Sequence, residues 1–446
     1  MKFWDLCAES AQRSAVIDAG GQVYNYAELL AQVTQQEQAL AALGSRTLGF
    51  VLCDNRLADL ALYLACLRQG HVPLLLAAQT PPEQLAALQA HYQPQWVSTH
   101  GEPQAQPKAT VAELHPALGL LLSTSGSTGS PRLVRLTRSV LQANAVSIAS
   151  YLELSAKERA ITSLPMHYSY GLSVINSHLL VGATLVLNTD SVFSREFLQR
   201  MLEQQVTSLA GVPYMYQMLH RTAFFKQELP ALHTLTQAGG RLDEKLTRFV
   251  AEHAQASGQR FFVMYGQTEA CARISYVPPE KLASKIGSIG VPIPGGALEV
   301  AADSGELIYR GPNVMLGYAE QRADLARGDD CQGRLPTGDL GRVDEDGFFY
   351  ITGRLKRFIK VGGNRIGLDE VEQALQAALH VPLAVGGVDD RLVVWLEAQE
   401  VALLDQVREF VRQQYAIHPT MTRLKLVERL PLLPSGKKDY GNLQHP

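Results

Sequence analysis

The chain has 446 residues, 46% of them hydrophobic, with 40 basic and 43 acidic side chains and a formal net charge of −3. That length supports at least two domains with cores of their own, and the near-neutral balance excludes a global field that would gather nucleic acid or coat an anionic membrane. The five cysteines (Cys7, Cys53, Cys66, Cys271, Cys331) are odd in number, scattered and nowhere arranged as CxxC, so neither a disulfide framework nor a zinc site is expected and a reducing cytoplasm fits. Asp5 and Glu9 interrupt the stretch that a signal peptide would keep apolar, and runs such as Leu179 to Leu187 fall far short of a membrane span.

From about Tyr26 to Leu76, helical stretches rich in Ala, Leu and Gln alternate with short β-type runs such as Leu48 to Leu52, and the alternation resumes beyond residue 140. This predicts an α/β fold with a mostly parallel sheet. Gly101 to Thr110, with two prolines and no aliphatic periodicity, reads as a surface loop inside the first domain. After about residue 285 the texture changes to short strands and tight turns at Ser288 to Gly296, Gly305 to Tyr309 and Asp344 to Tyr350, the pattern of a small β-rich subdomain. From Gly353 a basic, glycine-punctuated stretch leads to a helix over Asp369 to Leu379, a strand over Arg391 to Glu397, a helix near Leu404 to Gln414 and a last strand near Arg423 to Arg429. The expected architecture is α/β: a large N-terminal domain of α/β subdomains plus a small β-rich subdomain (residues 1–355), followed by a small mobile α+β C-terminal domain (residues 356–446).

The strongest local signal is Leu120 to Arg132, LLLSTSGSTGSPR, an apolar strand that runs into a loop of hydroxyls and glycines. Glycines let backbone N–H groups approach phosphate oxygens, Ser and Thr hydroxyls add donors, and Arg132 offsets charge. A flexible Ser/Gly linker is the plainer alternative, but a linker would not follow directly on an apolar strand and close with a proline and a cation. The Walker pattern GxxxxGK[ST] fails here, which argues against a P-loop NTPase.

In this loop the chain resembles the adenylate-forming superfamily: acyl-CoA synthetases, firefly luciferases and the adenylation domains of nonribosomal peptide synthetases. STSGSTGSPR is similar to that family's signature loop, with Arg132 where a Lys is more usual. The resemblance implies that Thr124, Ser125, Gly126, Ser127, Thr128 and Gly129 bind the phosphates of ATP. A second segment, Met264 to Glu269 (MYGQTE), follows the β-type run Phe261 to Val263; a carboxylate there can hold a magnesium ion that bridges phosphate oxygens. By resemblance Glu269 ligates Mg²⁺, Thr268 lies near the α-phosphate, Tyr265 with Gly266 packs against adenine, and Gly239 and Gly240 line the adenine and acyl pockets. In Pro336 to Leu340 (PTGDL), uninformative alone, the resemblance implies that Asp339 accepts from the ribose hydroxyls, with Arg354 as a second nucleotide contact.

The basic stretch from Gly353 to Ile366 reads plainly as a solvated hairpin. The resemblance makes Lys356 the hinge about which the C-terminal domain turns between half-reactions, places Lys360 in the thioester-forming state, and brings Gly362 and Gly363 close to a pantetheine arm. Near the end, Leu433 to Asp439 (LPSGKKD) matches the family's PSGK turn, which assigns Lys437 to the adenylation site as an electrostatic catalyst. Lys438, Asp439 and Tyr440 depart from the commoner basic continuation.

Pro165 to Leu172 (PMHYSYGL) resembles the acyl-pocket segment, with His167 near the carboxylate and Tyr168, Tyr170, Val212, Pro213, Tyr214, Met215 and Tyr216 as pocket candidates. A hydrogen-bonded core histidine is the plainer account of His167. No acidic residue occurs between Glu158 and Asp190, so nothing there would pair the buried ammonium of an α-amino acid. The expected reaction is attack of a fatty or aryl carboxylate on the α-phosphate of Mg·ATP, release of pyrophosphate, and transfer of the acyl group to the thiol of CoA or of a phosphopantetheinyl carrier protein. Nucleic acid and stable membrane association are not expected. Competing readings are a ligase that passes the adenylate to an amine, an amino-acid-activating domain, and a nucleotide-binding regulator without catalysis; retention of Glu269 and Lys437 counts against the last.

Overall fold

The computed structural model describes residues 2–6, 11–107, 111–123, 132–222, 224–355, 357–361, 364–415, 417–433 and 438–443. These residues divide into two compact units: one of the residues up to 298 together with 309–335, the other of 299–308 and 336–443. No described helix is long and apolar enough to cross a membrane.

Among the described residues, the first unit contains two large sheets. In the nine-stranded one, Ser14–Ile17, Thr184–Val186, Arg159–Ile161, Ser208–Gly211, Thr234–Gln237 and Arg260–Tyr265 run parallel in that spatial order, with antiparallel strands only towards the edges. In the seven-stranded one, Trp96–Thr99, Leu48–Cys53, Val72–Ala77 and Leu118–Ser123 are parallel neighbours. Leu48–Cys53 is buried at all six positions, the continuous apolar run of a parallel strand covered on both faces. The helix Tyr26–Ala41 starts at a capping box in which Asn25 and Glu28 satisfy each other's backbone N–H, and it buries Leu29, Val33 and Leu40 on one face.

Two expectations for this unit need correction. Glu102–Ala105 is not loop but an edge strand, paired antiparallel with Trp96–Thr99. It lacks alternation because an edge has one partner and little burial, and Pro103 is tolerated there because its missing N–H costs no ladder bond. Within Ser288 to Gly296, Val291–Pro292 joins the nine-stranded sheet beside Ser275–Val277 rather than the small β subdomain.

The second unit holds most of a four-stranded sheet in the order Ala297–Val300, Glu306–Arg310, Arg334–Val343, Phe349–Arg354. After it come the hairpin Phe358–Val361 with Asn364–Gly367 and a three-stranded sheet of Leu383–Val388, Arg391–Glu397 and Thr422–Val427. The helices here are Leu368–Leu379 and Ala402–Tyr415. Val371, Leu375, Val407 and Val411 recur at helical spacing and pack on Val385, Leu392 and Val394 of the sheet. The alternate sheet positions Ala384, Val393 and Trp395 face the other way and are covered by Leu430, Tyr440 and Leu443 of the C-terminal tail. The sheet thus carries helices on one face and the tail on the other.

Candidate active site

In the first unit, the strands Leu118–Ser123 and Leu133–Thr137 are antiparallel, with Ser123 opposite Leu133. Thr124, Ser125, Gly126, Ser127, Thr128 and Gly129 lie outside the described residues. Arg132 is described, and its guanidinium carbon lies 3.2 Å from the centroid of the Tyr318 ring. The Tyr318 hydroxyl donates to Glu269 Oε1 at 2.7 Å. Burial and the Glu269 carboxylate push the Tyr318 hydroxyl well above its ordinary value, with Arg132 pulling it back, so at neutral pH it remains a donor.

Glu269 sits in the single 3-10 turn Thr268–Ala270 that follows Arg260–Tyr265. Cys271 and Ala272 continue with φ of +51° and +85°, conformations that non-glycine residues adopt at a cost. Asn313 holds the turn there: its amide donates to the carbonyls of Ala270 and Arg273, each at 2.7 Å, and the Met315 N–H donates to the Glu269 carbonyl. Gly266 is required by the same fold-back, because a Cβ would fall 2.0 Å from the Ala272 oxygen. Tyr265 is half-buried and its hydroxyl accepts from Gln267 Nε2.

Thr268 connects this turn to the proposed acyl segment, since its hydroxyl and that of Ser169 are 3.1 Å apart. Tyr168 reaches Gly239, where φ is +86° and a Cβ would lie 2.6 Å from the Tyr168 hydroxyl and 3.1 Å from Val212; a side chain at 239 would fill this corner. Gly240 lies beside Pro213, and Met215 and Tyr216 are buried beneath, with Tyr216 donating to the Thr236 carbonyl at 3.0 Å. Tyr170 packs edge-on to Tyr168 with centroids 6.2 Å apart, and its hydroxyl meets Thr236 at 2.8 Å. Tyr214 packs edge-on to Phe193. Behind Tyr170 lies the buried Arg273, its guanidinium 4.3 Å from the ring centroid.

His167 is no satisfied core histidine on its Nδ1 side: that atom is buried without a hydrogen-bond partner among the described residues. Burial lowers its pKa, against opposing contributions from Asp54 and the Cys53 backbone, so the ring is neutral at neutral pH. The segment carrying it is bracketed by Asn55, whose amide donates to the Thr162 and Leu164 carbonyls and whose oxygen accepts the Met166 N–H.

In the second unit Asp339 is 3% exposed and accepts from Arg354 Nε at 3.1 Å, the two residues being register partners across adjacent strands. The turn is fixed by Thr337 donating to the Leu307 carbonyl and accepting from the Asp339 N–H. Lys360 is exposed, and its backbone N–H donates to Asp389 at 2.8 Å. Lys356, Gly362, Gly363 and Lys437 lie outside the described residues. The tail that follows Lys437 is firmly seated. Lys438 donates to Glu372 at 2.5 Å and to the Leu383 carbonyl at 2.7 Å, Tyr440 donates to both Glu372 oxygens, and the Arg357 guanidinium lies 3.7 Å over the Tyr440 ring.

Sequence reasoning missed Tyr318, Ser169, Asn55, Asn313 and the anchoring role of Glu372. Most are uncharged, and each acts on a partner far away in the chain, so no local spacing announces them.

A family profile described as AMP-binding enzyme matches residues 117–319. A feruloyl-CoA synthase from an Amycolatopsis species is 31% identical over 350 residues, covering 73% of this chain and 69% of the relative. A 2-succinylbenzoate–CoA ligase from Bacillus licheniformis is 30% identical over 335 residues, covering 71% and 68%. Among solved structures, the o-succinylbenzoate coenzyme A synthetase of Bacillus subtilis in complex with ATP and magnesium has the same fold, with a TM-score of 0.81 and 24% identity over 99% of each chain. The chain belongs to this family of AMP-binding, adenylate-forming enzymes, and it is an acid-activating ligase.

Proposed function

We propose that the enzyme activates an aryl or fatty carboxylic acid without an α-amino group as its acyl-adenylate and transfers the acyl group to the thiol of CoA. The observation that carries the choice of acid is the corner around Gly239, where Tyr168 and Val212 close on a position that admits no side chain. Buried Met215 and Tyr170 extend an apolar and aromatic lining, which suits a hydrophobic acid held by area with few polar groups. The relatives named for feruloyl and 2-succinylbenzoyl substrates support an aryl acid first.

In this reading the neutral His167 offers its unpaired Nδ1 to the substrate carboxylate, while Lys437 stabilises the charge shared between the attacking carboxylate and the α-phosphate. Thr268 and the loop Thr124 to Gly129, with Arg132, hold the phosphates, Tyr265 and Gly266 border adenine, and Asp339 with Arg354 takes the ribose. Among the described residues no cluster of three metal-binding side chains occurs. A lone Glu269 nevertheless fits magnesium, which keeps water and phosphate ligands and needs only one or two carboxylates. When bound, the ion offsets charge on the phosphate oxygens. Lys356 serves as the hinge and Lys360 the thioester-forming step in a cytoplasmic enzyme.

The test is acid-dependent pyrophosphate release with a panel of aryl, fatty and amino acids, with hydroxylamine to trap adenylates, followed by addition of CoA or of a phosphopantetheinyl carrier protein. Release with aryl or fatty acids and thioester formation on CoA are expected. Turnover only with amino acids, or thioester only on the carrier protein, overturns the respective half of the reading.

A further inference from the structure

Tyr318 joins two charged groups that the chain keeps far apart. Its strand, Gly317–Ala319, pairs antiparallel with Leu133–Thr137, with Tyr318 opposite Val134 and Ala319 opposite Leu133. The register brings it beside the residue that closes the phosphate loop, Arg132, whose guanidinium stacks on the Tyr318 ring. The same phenol donates to Glu269 Oε1, at the end of a strand in the other sheet. Asn313 and Met315, a few residues upstream, tie this segment to the carbonyls of the Glu269 turn, Asn313 through its side-chain amide and Met315 through its backbone N–H.

The arrangement accounts for Arg132 in a place where the family more usually has Lys. A planar guanidinium can lie flat on an aromatic face while its edge remains free to donate, whereas an ammonium is a point charge without that plane. Arg132 and Glu269 form no ion pair; the carboxylate that Arg132 approaches is Glu320, at 3.8 Å. Among the described residues Glu269 Oε2 accepts no hydrogen bond, so the phenol occupies one oxygen and leaves the other. A direct pair between these two groups would neutralise both the cation meant for phosphate and the carboxylate meant for a metal.

We propose that Tyr318 is a positioning residue for Mg·ATP: its ring seats the cation that closes the phosphate loop, and its hydroxyl fixes the rotamer of the carboxylate that holds magnesium. The proposal rests on the reading of Glu269 as the metal carboxylate. Arg132 and Glu269 are thereby held on one side chain at a set separation and kept from collapsing onto each other.

The experiment is calorimetric titration of the full chain with ATP, once with excess Mg²⁺ and once with the metal chelated, for wild type, Tyr318→Phe and Glu269→Gln. Phe keeps the ring for Arg132 and deletes only the bond to the carboxylate, the kind of charge-assisted contact whose loss costs about tenfold in affinity. Tyr318→Phe is expected to weaken ATP binding about tenfold in Mg²⁺ and to leave metal-free ATP binding close to wild type. Equal weakening with and without metal would mean that Tyr318 supports the fold alone, and would overturn the proposal, as would unchanged binding in Mg²⁺ while Glu269→Gln loses its metal dependence. If Glu269→Gln itself keeps the full response to Mg²⁺, the metal reading of Glu269 is what fails.

Discussion

Glu372, in the second unit, accepts from Lys438, Tyr440, Arg357 and the Val385 N–H, and its side chain is 10% exposed. Glu269, in the first, is half-buried and accepts a hydrogen bond from Tyr318. A carboxylate offers about four lone-pair sites. Those of Glu372 are saturated by its own chain, which makes it a cornerstone of the fold, while those of Glu269 are mostly left over, which suits its proposed role of receiving a cation. Both follow a short glycine-marked segment in the sequence and both are glutamates; the difference lies in how many donors the fold aims at each. Satisfaction by the protein's own donors separates an acid committed to the fold from one left open to a ligand.

The largest effect should come from breaking the saturated member. Glu372→Ala leaves Lys438 and Arg357 partly buried opposite a missing charge, and removing one partner of such a cluster costs about 3–5 kcal/mol. Denaturant unfolding should show a lowered midpoint for the second unit. A loss near that of an ordinary surface substitution, about 0.5 kcal/mol, would break the comparison.

The converse substitution sharpens it. Glu269→Gln should leave stability within about 0.5 kcal/mol of wild type, because few of its bonds are internal. The rate of acid-dependent pyrophosphate release should fall by about 10²–10³, the scale of losing one electrostatic group at a reacting phosphate. A large loss of stability with activity retained would turn Glu269 into a second Glu372.

Much of this contrast could not be read from the chain. The alternation of helices and apolar runs is legible because parallel strands buried on both faces read as unbroken Leu and Val, as in Leu48–Cys53 and Val72–Ala77. The loop proposed to hold phosphate, the MYGQTE turn and the PTGDL turn stand out in the sequence, since glycines, hydroxyls and acids at close spacing carry their own signal. What decides the local environment of Glu269 does not: Tyr318 is 49 residues away, and a tyrosine after a glycine has no distinctive pattern. The tail shows the same limit. Lys438 and Tyr440 read as departures from a basic motif, yet they converge on Glu372 from 66 and 68 residues away, a fact of tertiary packing on the sheet face that also bears Trp395. The strand Leu383–Val388 escaped notice because its second half, Gly386 to Val388, carries two glycines and little aliphatic content.

The next prediction uses pH. Burial pushes the Glu372 carboxyl up, but Lys438, Arg357 and the bonds from Lys438 and Val385 together outweigh it, and the net pKa lies below the ordinary glutamate value. A folded-state pKa below the unfolded one, about 4.3 for glutamate, contributes stability that is fully present above that value and is lost as pH falls through the lowered folded one. Glu372→Gln should therefore flatten the acid limb of the stability–pH curve below about pH 4.3. Some slope will remain, because Asp330, bonded to Arg327, is also held low. An unchanged acid limb would show that Glu372 does not titrate with folding.

The smallest effect isolates one donor in the saturated cluster. The Tyr440 hydroxyl lies 2.8 Å and 3.0 Å from the two Glu372 oxygens, while its ring packs on Arg357 and the Trp395 face. Tyr440→Phe keeps the ring and deletes only the hydroxyl. Since Lys438, Arg357 and the Val385 N–H continue to serve the carboxylate, no charge is left unpaired, and the cost should be that of one hydrogen bond to a charged group, about 1.5 kcal/mol, read as a modest drop in the unfolding midpoint. The size matters more than the sign. A cost approaching that of Glu372→Ala would mean that the phenol organises the whole cluster, as Tyr318 is proposed to organise Glu269, and the two carboxylates would then differ in degree rather than in kind.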